Sequence, residues 1–333
     1  MKDKLFKNTS VIIDANNVFI STYSVSTYSY NGEFYGGVLG FVNMLNKCLK
    51  SYNPNDMYIV WDGKNSRAKR QVINEEYKNH RTAPKPHQMV KNGLISSQED
   101  IEANRNLQRN LLTEVLATLP FYNINLVDLE ADDIISKLAQ KFSHNNDKAI
   151  IISNDKDFYQ LLDDNISIYR STNKTLYTKE DLLRDVGIHP HNFVLARALE
   201  GDKSDNLPGL KGAGLATICK RFPGILKEKK LTFEELYSQA VVDNELDKRK
   251  KPYTIYTELF QNQDLVKKNY AIMQLYEVNM SSEENQQLKD IIECNRLFKE
   301  SEFNNLCDIF ANRNMMKNFK MLLSKYSEHS DYF

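Results

Sequence analysis

The chain has 333 residues, 41% of them apolar and 26% charged, which is the composition of a folded globular protein with one large or two ordinary domains. Lys plus Arg and Asp plus Glu each total 44, so the formal net charge is zero. No apolar run approaches the roughly 18–20 residues that cross a bilayer, and the first residues do not form a signal peptide. The cysteines lie far apart without a C-x-x-C pair, which predicts a reduced, cytoplasmic protein without a zinc ribbon.

Short apolar runs alternate with helical stretches through the first half of the chain. The helical pattern is clearest over residues 37–49, and the predicted strands are residues 10–13, 57–61, 122–127, 149–152 and 166–169. Continuous apolar strands separated by helices are typical of a mostly parallel sheet that is buried on both faces. The sequence therefore predicts an α/β core with helices on both sides of a central sheet.

The pattern changes between residues 63 and 120, where the chain is long, polar and interrupted by Pro84 and Pro86. Eight basic residues and only two acidic ones occur between Lys64 and Lys91. Such an insertion favours a functional helical arch, over about residues 64–118, rather than a structureless loop. Beyond residue 180 the pattern is helical throughout. We predict two domains, an α/β core at 1–180 and a helical region at 181–333.

Acidic residues follow the predicted strands or open the helices after them. In open α/β sheets this is the edge at which functional groups collect. The nine carboxylates in question are Asp14, Asp62, Glu130, Asp132, Asp133, Asp155, Asp157, Asp202 and Asp205. Helix capping accounts for any single one of these residues. It is the ordinary interpretation of Glu130, Asp132 and Asp133, which open one predicted helix. The whole set would repel itself without cations, so it indicates Mg²⁺, of which two ions about 3.5–4 Å apart can catalyse phosphodiester hydrolysis.

The same segments carry a resemblance to a known family. Residues 11–17 (VIIDANN), 60–63 (VWDG), 129–135 (LEADDII), 153–158 (SNDKDF) and 201–209 (GDKSDNLPG) resemble, in order, the acidic motifs of the flap endonuclease and 5′-3′ exonuclease superfamily, the XPG/Rad2-like 5′ nucleases. Residues 76–81 (EYKNHR) are similar to its arch sequence. The match covers about residues 10–225. Within the superfamily the chain most resembles the ribonucleases H of T-even bacteriophages, which remove RNA primers.

The resemblance implies a PIN-like 5′ nuclease core and a role for each acidic residue. It places Asp14, Asp62, Glu130 and Asp132 around a first metal ion, and Asp155, Asp157 and Asp202 around a second. It makes Asp133 and Asp205 shared, water-mediated or outer ligands. The implied cofactor is a pair of Mg²⁺ ions, for which Mn²⁺ can substitute. Lys78 and Arg81, three residues apart, are implied to reach the scissile phosphate, and they are catalytic candidates.

The resemblance also implies how nucleic acid is held. Residues 200–225 are similar to a helix-hairpin-helix element, in which backbone N–H groups approach phosphates and K⁺ joins the hairpin to the duplex. The candidate contacts there are Gly209, Lys211, Gly212, Gly214 and Lys220. Ala216 stands where the family often has a basic residue, which weakens this expectation. Arg67, Lys69 and Arg70 are expected to attract phosphate in general and lie closer to an ordinary solvated basic face.

The function that follows is a structure-specific 5′-3′ exonuclease or flap endonuclease with ribonuclease H activity, acting in lagging-strand replication or repair. Its expected substrates are branched, nicked or 5′-flapped DNA and RNA–DNA hybrids. The protein is expected to be monomeric and not to bind a membrane. A single-strand-binding protein and a sliding clamp are the implied partners. Two alternatives stay open: a PIN-like ribonuclease, which the arch and hairpin argue against, and a non-catalytic DNA-structure-binding protein, which the complete acidic set argues against.

Overall fold

The computed structural model describes residues 8–79, 97–246, 253–311 and 313–326. A six-stranded sheet in the order β5-β4-β1-β6-β7-β8 lies at its centre, and a two-stranded hairpin, β2-β3, lies apart from it. The strands are β1 (Thr9–Asp14), β2 (Ser29–Tyr30), β3 (Glu33–Phe34), β4 (Asp56–Trp61), β5 (Tyr122–Asn125), β6 (Lys148–Ile152), β7 (Ile166–Arg170) and β8 (Thr175–Tyr177).

Fourteen α-helices occur within the described residues. Those of the first half are α1 (Ala15–Val25), α2 (Gly36–Tyr52), α3 (Ala68–Ile73), α4 (Gln98–Ala117), α5 (Ala131–His144) and α6 (Lys179–Asp185). Those of the second half are α7 (Pro190–Glu200), α8 (Leu215–Arg221), α9 (Phe233–Leu246), α10 (Thr254–Gln261), α11 (Gln263–Met273), α12 (Ser282–Glu293), α13 (Glu300–Phe310) and α14 (Arg313–Leu323). Short 3-10 helices cover Asp157–Leu161, Pro223–Leu226 and Ser324–Tyr326.

The five predicted strands pair in parallel, as expected for a sheet that is covered on both faces. β1 is the central strand, with β4 on one side and β6 on the other, and β5 and β7 flank those two. Within the six-stranded sheet, only β8 is antiparallel, to β7. The sequence did not predict β8, β2 or β3, because strands of two or three residues are too short to show an alternating pattern. The predicted α/β fold class is confirmed.

Side-chain alternation along β1 divides the interior into two apolar layers. Ile12 packs with α5 and the helices of the second half, whereas Val11 and Ile13 pack with α1, α2 and the C-terminal helices. Because the first layer contains residues on both sides of position 180, the helical region is packed directly on the sheet. The domain boundary at residue 180 stays a prediction.

The order of the strands determines where a site can form. β1 leads through α1 and α2 to β4 on one side, whereas β6 lies on its other side, so the sheet has its topological switch point at β1. Ligands of open α/β sheets bind in the crevice at the carboxyl ends of such strands. Among the described helices, none is long and apolar enough to cross a membrane.

Only parts of the predicted arch can be compared with the structure. α3 and α4 are helical, as expected, but residues 75–79 form a turn rather than a helix. Residues 80–96, including Arg81, lie outside the described ranges. The three-residue spacing of Lys78 and Arg81 therefore does not correspond to a helix face at Lys78, whose backbone is left-handed, with φ of 57°.

Candidate active site

Two carboxylates lie at the carboxyl ends of neighbouring strands. Asp14 ends β1 and caps α1, since its carboxylate accepts a hydrogen bond from the Asn17 N–H at 3.1 Å. Asp62 directly follows β4 and accepts hydrogen bonds from the Asn16 side chain at 2.5 Å and the Ala131 N–H at 2.8 Å. Asp62 thus connects the end of β4 to the starts of α1 and α5, and its side-chain position is fixed by both helices.

The loop after β6 brings two further carboxylates to the same edge. The hydroxyl of Ser153 donates to Asp14 at 2.9 Å and accepts the N–H of Asp155 at 3.1 Å. Asp155 in turn accepts the N–H of Asp157 at 2.8 Å. These bonds connect the loop after β6 to the end of β1, so the acids that follow the two strands are held side by side.

Glu130, at the start of α5, is almost completely buried and has three donors around it. Its carboxylate accepts from the Tyr77 hydroxyl at 3.1 Å and from the Lys78 ammonium at 3.0 Å. The Arg70 guanidinium forms an ion pair with it at 3.0 Å. Because Glu130 is 2% exposed, these partners supply the interactions that water would otherwise give.

Arg70 does not belong to a solvated basic face, and this corrects the expectation that it attracts phosphate. Its side chain is buried, its Nε donates to the Ile272 carbonyl at 3.0 Å, and its two terminal nitrogens hold Asp133 at 2.8 and 3.0 Å. A bidentate guanidinium-carboxylate pair is a strong and well-oriented interaction. Arg70 is therefore a buried counter-ion of Glu130 and Asp133, and four of its five N–H groups are directed at protein oxygens.

Lys69 and Arg67, which were grouped with Arg70, have different surroundings. The Lys69 ammonium donates to Glu284 at 2.8 Å and to the Asn279 carbonyl at 2.8 Å, so it ties α3 to the helical region. The Lys69 ammonium is thus engaged within the protein, and its phosphate-attracting role stays a prediction. Arg67 alone of the three is exposed, so it is the candidate most accessible to DNA.

A second arginine, Arg197 of α7, is half-buried and binds acids from two other segments of the chain. It pairs with Asp157 at 3.3 Å and with Asp202, and it also binds Glu200 at 2.6 Å and the Gly201 carbonyl at 3.2 Å. Asp157 comes from the loop after β6, whereas Asp202 follows α7. Arg197 therefore joins the α/β core to the helical region at the acidic edge.

The loop that carries Asp202 and Asp205 is closed at its base by two glycines. Gly201 has φ of 77°, and a Cβ at Gly209 would lie 1.8 Å from the Glu200 carbonyl oxygen. Asp202 and Leu207 exchange backbone hydrogen bonds of 2.7 and 2.8 Å within the loop. Gly209 is thus required for backbone packing, and its contact with phosphate stays a prediction.

Burial and mutual repulsion shift the acidity of this cluster. Burial raises the pKa of Asp14 to about 7, and the charges of Asp62 and Asp155 add to that rise. Burial also raises the pKa of Asp157 to about 7, where Asp155 adds to the rise and Arg197 opposes it. These carboxylates carry more negative charge than the surrounding side chains neutralise, so a cation would be favoured among them.

Two further acids show how local partners decide the charge state. Burial raises the pKa of Asp132 well above its usual range, and the neighbouring Asp155 adds to the rise. Burial of Asp202 acts in the same direction, but hydrogen bonds from Ser204 and the guanidinium of Arg197 outweigh it and lower the Asp202 pKa. Asp132 thus shares the burial and repulsion described for Asp14 and Asp157, whereas the partners of Asp202 outweigh them.

Two cavities adjoin the cluster. A narrow one of about 10 Å³ is lined by Asp132, Asp157 and Asp205, together with Arg70. A wide one of about 800 Å³ is lined by both acidic and basic side chains. The groups lining the wide cavity include Asp62, Glu130, Lys78, Arg67 and Arg109.

The donor set of this edge fits a hard divalent cation. All nine candidates supply carboxylate oxygens, the ligands that Mg²⁺ and Mn²⁺ prefer. Within the described ranges, no three His, Cys, Asp or Glu side chains already form a group spaced to hold one ion. Mg²⁺ keeps several waters and binds through one or two carboxylates plus substrate phosphates, so a closed protein cage is not required.

A family model described as the 5′-3′ exonuclease, N-terminal resolvase-like domain matches residues 9–187, more than half of the chain. The chain belongs to this family. The predicted membership of the flap endonuclease and 5′-3′ exonuclease superfamily is confirmed, and with it the assignment to a family of nucleases.

Individual relatives of this nuclease family agree with the assignment. The chain is 30% identical over 223 residues to a 5′-3′ exonuclease of Aquifex aeolicus, covering 65% of this chain and 71% of that protein. It is 34% identical over 170 residues to the flap endonuclease Xni of Shewanella halifaxensis, covering 50% and 59% of the two chains. Its fold is similar to the bacteriophage T5 D15 flap endonuclease, solved with DNA and metal ions, at a TM-score of 0.65 and 19% identity over 86% of this chain and 98% of that one.

The predicted hairpin of this 5′-3′ exonuclease family member lies between α7 and α8. Lys211, Gly212, Gly214 and Lys220 are all exposed. Gly212 has φ of 80°, and a Cβ at either Gly212 or Gly214 would meet no atom within 4 Å. Their backbone is open to solvent, in contrast to that of Gly209, so they remain candidates for phosphate contact.

Sequence reasoning missed Asn16, Arg109 and Arg197 at this site. Asn16 lies in the same motif as Asp14, but only the aspartate was predicted to be a site residue. Arg109 is exposed on α4, and its guanidinium lies 5.2 Å from the centre of the Trp61 ring, beside the wide cavity. Arg197 had a detectable signal, because a single cation in the apolar run of α7 requires a buried carboxylate partner.

Proposed function

We propose that this chain is a divalent-cation-dependent 5′ nuclease that hydrolyses phosphodiester bonds in branched, nicked or 5′-flapped DNA. The observation that carries the proposal is the wide cavity after β4, whose lining combines carboxylates, Asp62 and Glu130 among them, with basic side chains. The basic side chains attract the nucleic-acid backbone, and the carboxylates hold cations at the point of cleavage. Membership of a nuclease family supports the same activity.

The acidic edge of the sheet is proposed to hold two Mg²⁺ ions through the nine carboxylates identified from the sequence. When bound, such ions supply an activated water molecule and neutralise charge on the leaving oxygen. The protein's own contribution is to fix the carboxylates beforehand. Ser153 positions Asp14 and Asp155, Asn16 positions Asp62, and Arg197 positions Asp157 and Asp202.

Lys78 is proposed to stabilise negative charge on the phosphate that reacts. Its ammonium donates to the Glu130 carboxylate, and Lys78 also lines the wide cavity. It is therefore adjacent to both an acidic side chain and the space for substrate. Its backbone N–H donates to the Asp205 carbonyl at 3.0 Å, which joins the base of the arch to the acidic loop. A cation placed in this way acts on charge that grows in the transition state. Arg81 is assigned to the same role through the resemblance of its motif.

The finer assignment is removal of RNA primers and adjacent DNA during lagging-strand synthesis or repair. It rests on the similarity of the acidic and arch motifs to phage-type ribonucleases H. The hairpin, with a K⁺ ion, would contact the duplex backbone without reading bases, so cleavage would depend on DNA structure. The protein would act as a monomer, and a single-strand-binding protein and a sliding clamp are its proposed partners.

A cleavage assay tests the proposal. The substrates are a 5′-labelled flap, a nicked duplex, an RNA–DNA hybrid and a blunt duplex of matched sequence, each with Mg²⁺, Mn²⁺ or EDTA. We expect short 5′ products from the first three with either metal ion, slow cleavage of the blunt duplex, and none with EDTA. Preferential cleavage of single-stranded RNA would indicate the PIN-like ribonuclease instead. Tight flap binding without cleavage under all conditions would indicate a DNA-structure-binding protein.

A further inference from the structure

An apolar pocket of about 280 Å³ lies in the helical region, apart from the acidic edge. Its floor is Leu195 of α7, and its walls are Leu231, Phe233 and Tyr270, all half-buried. None of the nine acids and none of the hairpin glycines lines it. The pocket therefore has no part in the nuclease site, and its apolar surface is not accounted for by that activity.

Hydrogen bonds of a buried asparagine fix the chain segment that lines the pocket. Asn192 is fully buried in α7, and its amide donates to the carbonyls of Lys227 and Lys229 at 2.8 and 3.0 Å. Its side-chain oxygen accepts the Leu231 N–H at 2.7 Å. These three bonds fix the segment that forms one wall, so the pocket is preformed and binding there requires little reorganisation.

Two lysines flank the pocket. Lys230 and Lys267 are exposed, and their ammonium groups lie over aromatic rings, 5.3 Å from the centre of Tyr276 and 5.0 Å from that of Phe233. Among the ion pairs between described residues, neither lysine has a carboxylate partner, whereas the adjacent Lys229 pairs with Glu235 at 2.6 Å. An apolar floor with two available cations at its rim is complementary to an apolar side chain flanked by carboxylates.

We propose that this pocket binds an acidic peptide segment of another protein that carries a large apolar side chain. The apolar side chain enters over Leu195, and neighbouring carboxylates meet Lys230 and Lys267. A nucleic-acid base is the less suitable occupant, because bases stack on open aromatic faces. Here the Phe233 ring forms the side of a small concave pocket, and the Lys267 ammonium lies over it. The proposal goes beyond the nuclease function and does not depend on it.

Peptide binding to the full chain tests the proposal. The probe is the fluorescein-labelled peptide Gly-Ser-Asp-Asp-Glu-Asp-Pro-Leu-Phe, followed by fluorescence anisotropy. Two control peptides replace Phe with Ala or all acidic residues with their amides. We expect saturable binding of the probe and at least tenfold weaker binding of both controls. No saturable binding of the probe up to about 1 mM, or equal binding of the probe and the Ala peptide, overturns the proposal.

Charge-reversal variants locate the site. Lys230→Glu and Lys267→Glu should each weaken probe binding at least tenfold, whereas Lys268→Glu, exposed on the same helix but not lining the pocket, should change it less than twofold. All three variants should cleave a flap substrate as the unmodified chain does, and equal melting temperatures confirm that they are folded. Equal effects of Lys267→Glu and Lys268→Glu overturn the proposal. Weakened flap-DNA binding with unchanged probe binding assigns the pocket to nucleic acid and also overturns it.

Discussion

The acidic edge and the hairpin between α7 and α8 were both expected to meet phosphates, but the structure builds them differently. At the edge, carboxylates and cations are buried together, as in the contacts of Arg70 with Glu130 and Asp133. At the hairpin, Lys211 and Lys220 are exposed. Buried charges need their partners for folding, whereas exposed charges contribute to affinity that salt screens. Burial therefore separates residues that shape the site from those that attract substrate.

The largest effect should come from removing one charge of the acidic edge. Asp155→Asn keeps the size of the side chain but removes a carboxylate that a metal ion would need. We expect the single-turnover rate to fall at least about 10³-fold, equivalent to about 4 kcal/mol, with flap binding in EDTA retained. Asp128→Asn is the matched control, since Asp128 is exposed and borders the same wide cavity. Cleavage by Asp155→Asn at the rate of the control would refute the assignment.

The next contrast is between two neighbouring arginines. Arg70→Ala should lower the free energy of unfolding by roughly 3–5 kcal/mol, because it leaves Glu130 and Asp133 buried without their main counter-ion. Arg67→Ala, at an exposed position, should change it by less than about 0.5 kcal/mol and mainly weaken DNA binding. Urea unfolding of both variants measures the difference. Similar stabilities would show that Arg70 is not the counter-ion that its contacts indicate.

A smaller effect is expected at Lys78, which is buried against Glu130 but also lines the wide cavity. Lys78→Ala should leave the protein folded, since Glu130 keeps Arg70 and Tyr77, but lower the single-turnover rate at saturating enzyme at least about tenfold, or about 1.4 kcal/mol. Lys64→Ala, exposed in the same cavity, should weaken binding alone and recover its full rate with more enzyme. Full recovery of both variants would make Lys78 only a binding residue.

The smallest effect should occur at the hairpin. Lys211→Ala should weaken flap binding only a few-fold and reduce the slope of log affinity against log salt by about one unit, as expected for the loss of one phosphate contact. Lys289→Ala on α12, which pairs only at 3.8 Å with Glu293, is the exposed control and should leave the slope unchanged. Binding titrations at several salt concentrations provide the test. An unchanged slope for Lys211→Ala removes that residue from the DNA interface.

The sequence was sufficient to predict the features that depend on neighbouring residues in the chain. Five strands and the positions of Asp14 and Asp62 at strand ends follow from short apolar runs and the residues that end them. Trp61, the last residue of β4, packs in the core and is stacked on Phe41 at 6.2 Å. The ordered acidic motifs were also enough to identify the family, because they combine residue type, spacing and order along the chain.

Only the tertiary structure decided which basic residues are free. Arg70 and Asp133 are 63 positions apart in the chain, and Arg197 and Asp157 are 40 apart. No periodicity or short motif reports such a pair, because it arises when separate elements pack together. Gly209 is similar, because its close packing against the Glu200 carbonyl of α7 is not apparent from the sequence of the turn. The sequence by itself determined the chemistry of the acidic edge, and packing determined which charges remain available to a substrate.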